Sequence, residues 1–436
     1  MKVLKFGGTT FGSAEKIKKV VALIQKENNN FIVVSAFEGT TNTLIEIADC
    51  LYKKNPGEAN AIVDRLEKKY SELVSELYST PEYKTMADEL LEKYFSAIRS
   101  FTKDLFTGFE EKAILAQGEL ISSSLMYLLL KEQQVNIALI PALDFMRTDK
   151  NSEPDPVYIK EKLHRQLERY PNADIYITQG YICRNAYGEI DNLERGGSDF
   201  TASLIGAAIH AEEIQIWTDR DGMQNIDPRF VEHTFSIRQL QFEEAAELAY
   251  FGARILHPTC ILPARMNNIP VRLLNTLNPE AQGTLISGQM EKGKIKSVAA
   301  KDGIISIKIK SGRMLLAYGF LRKVFEIFEY YQTPIDMIAT SEVAVSVTID
   351  QTKHLEKILD DLKKYGTVSI DRNMTIICVV GDLDWDNLGF ESKAVQALKD
   401  VRVRMISYGG SNYNISFLIQ TEDKQQALQA LSNHLF

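Results

Sequence analysis

The sequence predicts an α/β protein: a mainly parallel central sheet in the first two-thirds of the chain, followed by two smaller α+β units. Three observations carry this. Short apolar runs at Val3–Phe6 and Phe31–Ala36 end in glycine or small polar residues, as strands buried on both faces do. Helical stretches alternate with further apolar runs at Val135–Ile140, Asp174–Gln179 and Ile214–Thr218, the rhythm of a parallel sheet. Near Gly293–Lys294 the texture changes and a strand–helix–strand pattern occurs twice.

Val3–Phe6 leads through Gly7-Gly8 into a helical pattern over Glu15–Lys26. From Asn42 to Phe106 the chain is helical and charge-rich, and a run such as Arg65-Leu66-Glu67-Lys68-Lys69 reads as the solvated face of an amphipathic helix. Gly288–Lys296, with two glycines and several charges, reads as a linker between domains at 1–290 and 295–436. Beyond it, the first repeat is Ile304–Ile309, Gly319–Tyr331 and Val343–Ile349. The second is Thr375–Val380, Ser392–Ala397 and Ile415–Gln420.

At 436 residues the chain is too long for one ordinary core, so two or three domains are expected. A formal net charge of -8 argues against nucleic acid or an anionic membrane as the main partner, since both require a basic footprint. The N-terminus does not read as a signal, and no segment is expected to approach the roughly 20 apolar residues that span a bilayer. Cys50, Cys183, Cys260 and Cys378 follow no CxxC spacing and read as reduced thiols of a cytoplasmic protein. The six histidines do not cluster, so no structural metal site is expected.

Six segments carry the chemistry. In Lys5-Phe6-Gly7-Gly8-Thr9-Thr10, the glycines let backbone amides approach phosphate oxygens and Lys5 supplies a positive charge; a plain turn has the same composition. It is not a Walker motif. In Ser35–Asn42, Ser35 and Thr41 suit hydrogen bonds to a carboxylate, and Thr40 or Thr41 suits a helix cap equally well. Glu119, beside Gly118 in an apolar helix, needs a cation: either an amino-acid ammonium or a structural base.

The most informative segment is Leu193-Glu194-Arg195-Gly196-Gly197-Ser198-Asp199. The glycines open the backbone ahead of a helix N-terminus, Arg195 suits a bidentate grip on a carboxylate, and Asp199 can hold a lysine or a magnesium-bound water. Capping by Ser198 or Asp199 is the simpler alternative. Trp217–Arg229, with Asp221-Gly222 and Asp227-Pro228-Arg229, has the size of a loop around adenine and ribose, or of a solvated turn. Phe251–Pro258 adds a cation, Arg254, while His257 before proline reads as structural.

In this order the segments resemble the aspartokinase branch of the amino acid kinase family, over almost the whole chain. KFGGTS appears as Lys5–Thr10, VxSAxxGxTN as Val33–Asn42, GRGGSD as Glu194–Asp199, WTDxxGxxxxDPR as Trp217–Arg229 and FGAKxLHP as Phe251–Pro258. Ala339–Val347 resembles the TSEVSV signature of lysine-sensitive members, and the two C-terminal repeats resemble paired ACT domains of ferredoxin-like fold. Those domains are often interleaved, here over 311–372 and over 295–310 with 373–436.

The resemblance implies roles. Lys5, Gly7 and Gly8 would contact the transferred phosphoryl group. Ser35, Thr41, Glu119 and Arg195 would hold aspartate, and Asp199 would organise Lys5. Thr218, Asp219, Gln224, Arg229 and Arg254 would line the nucleotide site. Arg254 and Gln224 depart from the family's lysine and tyrosine, and Arg254 thereby changes donor geometry. The reaction implied is transfer of the ATP γ-phosphoryl, with Mg²⁺, to the β-carboxylate of L-aspartate, the first step toward lysine, threonine and methionine. A homodimer or dimer of dimers is implied. An amino-acid effector, L-lysine first, would bind at Met314, Gly319, Phe320, Leu321, Asp336, Ser341 and Glu342. The rivals are a kinase of the same fold acting on glutamate, acetylglutamate or UMP, and a catalytically dead sensor.

Overall fold

The computed structural model describes residues 1–26, 28–102, 105–193, 196–252, 257–312, 318–384 and 386–436. They form two compact units, Met1–Met223 with Leu256–Gly288, and Gln224–Ile255 with Gln289–Phe436. The linear reading does not anticipate that Gln224–Ile255 groups with the C-terminal residues.

The first unit begins with strand β1 (Lys2–Phe6), helix α1 (Ala14–Ile24), strand β2 (Asn30–Val34) and helices α2 (Thr40–Tyr52), α3 (Pro56–Leu77), α4 (Pro81–Ser100) and α5 (Gly108–Glu132). Strand β3 (Ile137–Leu139), helix α6 (Pro156–Glu168), strands β4 (Ile175–Gln179), β5 (Ile182–Arg184) and β6 (Ile190–Asn192), helix α7 (Gly197–Ile209) and strand β7 (Ile214–Thr218) follow. The chain then contributes β8 (Gln239–Gln241) and α8 (Phe242–Tyr250) to the second unit. It returns for α9 (Pro258–Met266), β9 (Val271–Asn275) and β10 (Thr284–Ser287).

Within this unit the sheet order is β3-β4-β2-β1-β7-β9-β10, parallel except for β10 against β9. Phe6 pairs with Val34 and Trp217, and Val34 with Gln179. The carboxyl ends of β1, β2, β4 and β7 therefore line up along one edge, the edge where ligands bind in open α/β sheets. Every residue of β2 and β4 is buried, which explains the apolar runs Phe31–Val34 and Ile175–Ile177 within them.

Helix α5 packs into this core, and its polar residues face the strand ends. The Ser122 hydroxyl donates to the Ser35 carbonyl at 2.9 Å, and Gln179 Nε2 donates to Ser123 Oγ at 2.7 Å. The helix also corrects one expectation: its 25 residues, with a mean hydropathy of 1.5 over 18 of them, are long and apolar enough to cross a membrane. That window is 83% buried inside the unit, so the apolar length serves the core.

The second unit continues with β11 (Ile295–Lys310), α10 (Phe320–Tyr330), β12 (Ile338–Ser341), β13 (Ala344–Ile349) and α11 (Leu355–Lys363). It ends with β14 (Thr367–Gly381), α12 (Phe390–Ala397), β15 (Val403–Tyr408), β16 (Asn414–Gln420) and α13 (Lys424–Leu435). One antiparallel sheet, β12-β13-β11-β14-β16-β15, runs through both repeats. The long strands β11 and β14 pair along their whole length, with register shifts between Lys301 and Ile304 and between Ile304 and Ser306. On one side of that break Ile305, Ile307 and Ile309 pack with Val324, Val347 and Leu362; on the other, Val298 packs with Ile377, Phe417 and Leu428. All four cysteines are buried and unpaired.

Candidate active site

The turns leaving the aligned strand ends enclose a cleft of about 780 Å³ in the first unit. Lys5, Gly8, Ser35, Thr41, Glu119 and Asp199 all line it. Its centre is an ion pair: the Lys5 ammonium lies 2.6 Å from Asp199 Oδ1, and both side chains are only 11% exposed. β1 delivers Lys5 one residue before its end. α7 delivers Asp199 in its first turn, where the helix dipole favours a carboxylate.

The glycines act by close approach. A side chain on Gly8 would put its Cβ 2.9 Å from the Ala36 carbonyl oxygen, so the two turns touch backbone to backbone. Gly196, at φ 76°, starts α7, and a Cβ there would meet Cys260 Sγ at 2.8 Å.

These contacts decide the capping alternatives. Helix α7 is capped by Gly196 and α2 by Gly39, neither with a side-chain cap. Asp199 instead meets Lys5, and Thr40 Oγ1 lies 2.8 Å from the Tyr70 hydroxyl. His257 Nδ1 lies 2.8 Å from Thr259 Oγ1.

Glu119 is 4% exposed. Its Oε1 accepts from the Ala36 amide at 3.1 Å, while the buried Oε2 has no hydrogen-bond partner among the described residues. Burial pushes the carboxyl from 4.5 up to about 8; the Ala36 amide, its own backbone and the Lys5 charge pull the other way without cancelling it. Such a group is poised to receive a cation.

Other expected residues lie elsewhere. Thr218 ends β7 and Asp219 follows it, both outside the lining of the cleft, and the Thr218 carbonyl accepts from the Thr276 amide at 2.8 Å. Gln224 and Arg229 belong to the second unit. Gln224 Nε2 donates to Ser236 Oγ at 2.9 Å, and Arg229 grips Asp227 through Nε at 3.0 Å and Nη2 at 2.5 Å. Arg195, Arg254 and Met314 lie outside the described residues.

In the second unit Gly319 caps α10 at φ 79° and Phe320 is buried in the core beneath it. Leu321, Ser341 and Glu342 are exposed. The Asp336 side chain is 1% exposed and already paired: Lys301 Nζ lies 2.7 Å from its Oδ1, and the Tyr250 hydroxyl donates to the same oxygen at 2.7 Å.

Sequence reasoning missed Tyr181, Asn192 and Lys112 on the cleft wall. Tyr181 follows the carboxyl end of β4 in a left-handed conformation, φ 66°, and its ring leaves no room for a side chain on Gly197. Its signal was Gly180-Tyr181 after a buried strand, at the sheet edge already known to carry Gly8 and Ser35.

A lysine, close-approach glycines and buried acids at the carboxyl edge of a parallel sheet define a phosphoryl-transfer enzyme that acts through fixed charge and backbone amides. Comparison with known proteins agrees. Residues 1–275 match the model of the amino acid kinase family, and residues 377–435 that of an ACT domain. Over 447 residues the chain is 30% identical to lysine-sensitive aspartokinase 3 of Escherichia coli, covering 100% of this chain and 99% of that one. It is 33% identical to the chloroplastic aspartokinase 1 of Arabidopsis thaliana, covering 100% of this chain and 80% of that one. E. coli aspartokinase III in complex with aspartate and ADP superposes with a TM-score of 0.87 at 30% identity, and its complex with lysine and aspartate with 0.81 at 31%. The former match covers 100% of both chains, the latter 100% of this chain and 99% of the other. The chain belongs to the amino acid kinase family and, within it, to the aspartokinases: it is an aspartate kinase with an ACT regulatory region.

Proposed function

We propose that the cleft binds L-aspartate beside the γ-phosphoryl group of ATP and transfers that group to the β-carboxylate, giving 4-phospho-L-aspartate and ADP. The observation that carries this is the Lys5–Asp199 pair in the same cleft as a buried Glu119 oxygen that lacks a donor. Glu119 receives the substrate ammonium. Ser35 and Thr41 hydrogen-bond a carboxylate, and Arg195 grips the α-carboxylate. Lys5, held by Asp199, neutralises charge on the phosphoryl group, with the Gly7 and Gly8 amides beside it. A carboxylate nucleophile needs no general base. Mg²⁺ would arrive with the nucleotide and would offset the charge of its phosphates. Thr218, Asp219, Gln224, Arg229 and Arg254 serve the nucleotide.

The regulatory reading is a homodimer whose ACT region, two domains with strands shared as at β11 and β14, binds an amino acid, L-lysine first. The support is the TSEVAV stretch, Thr340–Val345, which follows Asp336 closely in the chain. The pathway reading is the step leading toward lysine, threonine and methionine, in the cytoplasm. A hydroxamate assay with ATP·Mg²⁺ and a panel of acidic acceptors tests the reaction. Preference for glutamate, or no turnover of aspartate, would overturn it. Titration with lysine, threonine and methionine tests the regulation. Absence of both inhibition and thermal stabilisation at millimolar levels would end that part alone.

A further inference from the structure

Among the described residues, two buried side-chain oxygens on the wall of the cleft have no hydrogen-bond partner: Glu119 Oε2 and Asn192 Oδ1. The amide of Asn192 has a defined orientation, because its Nδ2 donates to the Lys112 carbonyl at 3.4 Å; turned the other way, the amide oxygen would face that carbonyl oxygen. The segment is anchored as well. The Asn192 amide N–H donates to Asp191 Oδ1 at 2.7 Å, and Lys112 Nζ holds the same oxygen at 2.6 Å. Glu119 and Asn192 also share a neighbour. It is Tyr181 on the same cleft wall, whose hydroxyl is pushed up to about 12 by burial and by the negative charge of Glu119.

An acceptor buried without a donor is costly, and two of them in one cleft call for a ligand that brings several donors together. An ammonium brings three, with a charge that matches Glu119. We propose that Asn192 is a second receiver of the aspartate ammonium, a positioning residue that fixes the substrate in register with Glu119. This rests on the substrate-site reading above. Asn192 adds direction where Glu119 adds charge, and together they select acceptors carrying an amino group over plain dicarboxylates.

The test uses the full chain and two ligands, aspartate and succinate, which is aspartate without its ammonium. Asn192→Leu removes the acceptor at similar volume. It should raise KM for aspartate about tenfold or more with kcat within about threefold, and leave Ki for succinate as a competitive inhibitor within about twofold. Asn192→Asp keeps an acceptor in place and should retain an aspartate KM near that of the wild type. An unchanged KM in Asn192→Leu would overturn the proposal, as would a parallel rise in KM and succinate Ki. If Asn192→Leu fails to fold, a tenfold weaker KM in Asn192→Asp would also overturn it. Glu119→Gln separates the two readings: no effect of that variant on aspartate KM removes the substrate-site reading itself, whereas an effect there with none at Asn192 removes only this inference.

Discussion

The ammonium of Lys5 sits 2.6 Å from a carboxylate oxygen of Asp199, joining the end of the first strand to the first turn of α7. The pair holds a cation at the mouth of a glycine turn before any phosphate arrives. That is the preorganisation that makes electrostatic catalysis effective, because no reorganisation is required during transfer.

Replacing the cation should therefore damage chemistry more than binding. In Lys5→Ala we expect kcat to fall by about a hundredfold or more, with a smaller change in aspartate KM. Steady-state kinetics decides it; near-normal kcat with only a raised KM would contradict the assignment.

The raised carboxyl of Glu119 predicts a pH dependence. Its ordinary value is 4.5 and the fold lifts it to about 8, so at neutral pH the free enzyme holds it mainly protonated. An ammonium ligand needs the ionised form, so aspartate binding should release a proton. Aspartate affinity should then improve from pH 6 to pH 8, by up to about tenfold per unit, and level off above. Stability runs the opposite way. A raised value contributes stability fully present below 4.5 and lost as pH rises through about 8, so Glu119→Gln should narrow the fall in Tm over that range. A flat affinity profile in the wild type would refute the linkage.

Gly118 lets α5 approach the strand edge and so places Glu119. A Cβ there would lie 2.9 Å from Ala36 Cβ and 3.3 Å from Leu44 Cδ1. Gly118→Ala should cost about 1–3 kcal/mol of stability by overpacking. Urea unfolding checks this, and an unchanged midpoint would mean that the helix shifts freely.

In the second unit Lys296 and Glu244 form a buried pair at 2.9 Å, 3% and 0% exposed. Removing one partner leaves a buried charge. Lys296→Met should destabilise by about 3–5 kcal/mol, and Lys296→Met with Glu244→Leu should recover much of that. Equal loss in the single and double variants would show that the pair is not the cause.

Much of the fold was legible because it depends on neighbours along the chain. The apolar runs Phe31–Val34 of β2 and Ile175–Ile177 of β4 announce strands, and Gly7-Gly8 and Gly196-Gly197 announce turns of close approach. Strand β11 was less legible. Only Ile304–Ile309 was read as a strand, whereas pairing runs from Ile295 to Lys310. Lys296, Lys301 and Asp302 break the apolar pattern in its first half. Each is answered by a charge distant in sequence: Glu244 at 2.9 Å, Asp336 at 2.7 Å and Lys424 at 2.7 Å.

The site divides in the same way. From the sequence came the residue types: a lysine after a buried strand, glycines that admit a phosphate, and an acid in an apolar helix. Those follow from local backbone freedom and side-chain chemistry. The resemblance already implied that Asp199 organises Lys5; the tertiary structure alone decided that Asp199 does not cap its helix, that Glu119 keeps one oxygen without a donor among the described residues, and that Asn192 shares the cleft wall with it. Pairing and desolvation depend on which distant segments are brought into contact, and no stretch of sequence contains that information by itself.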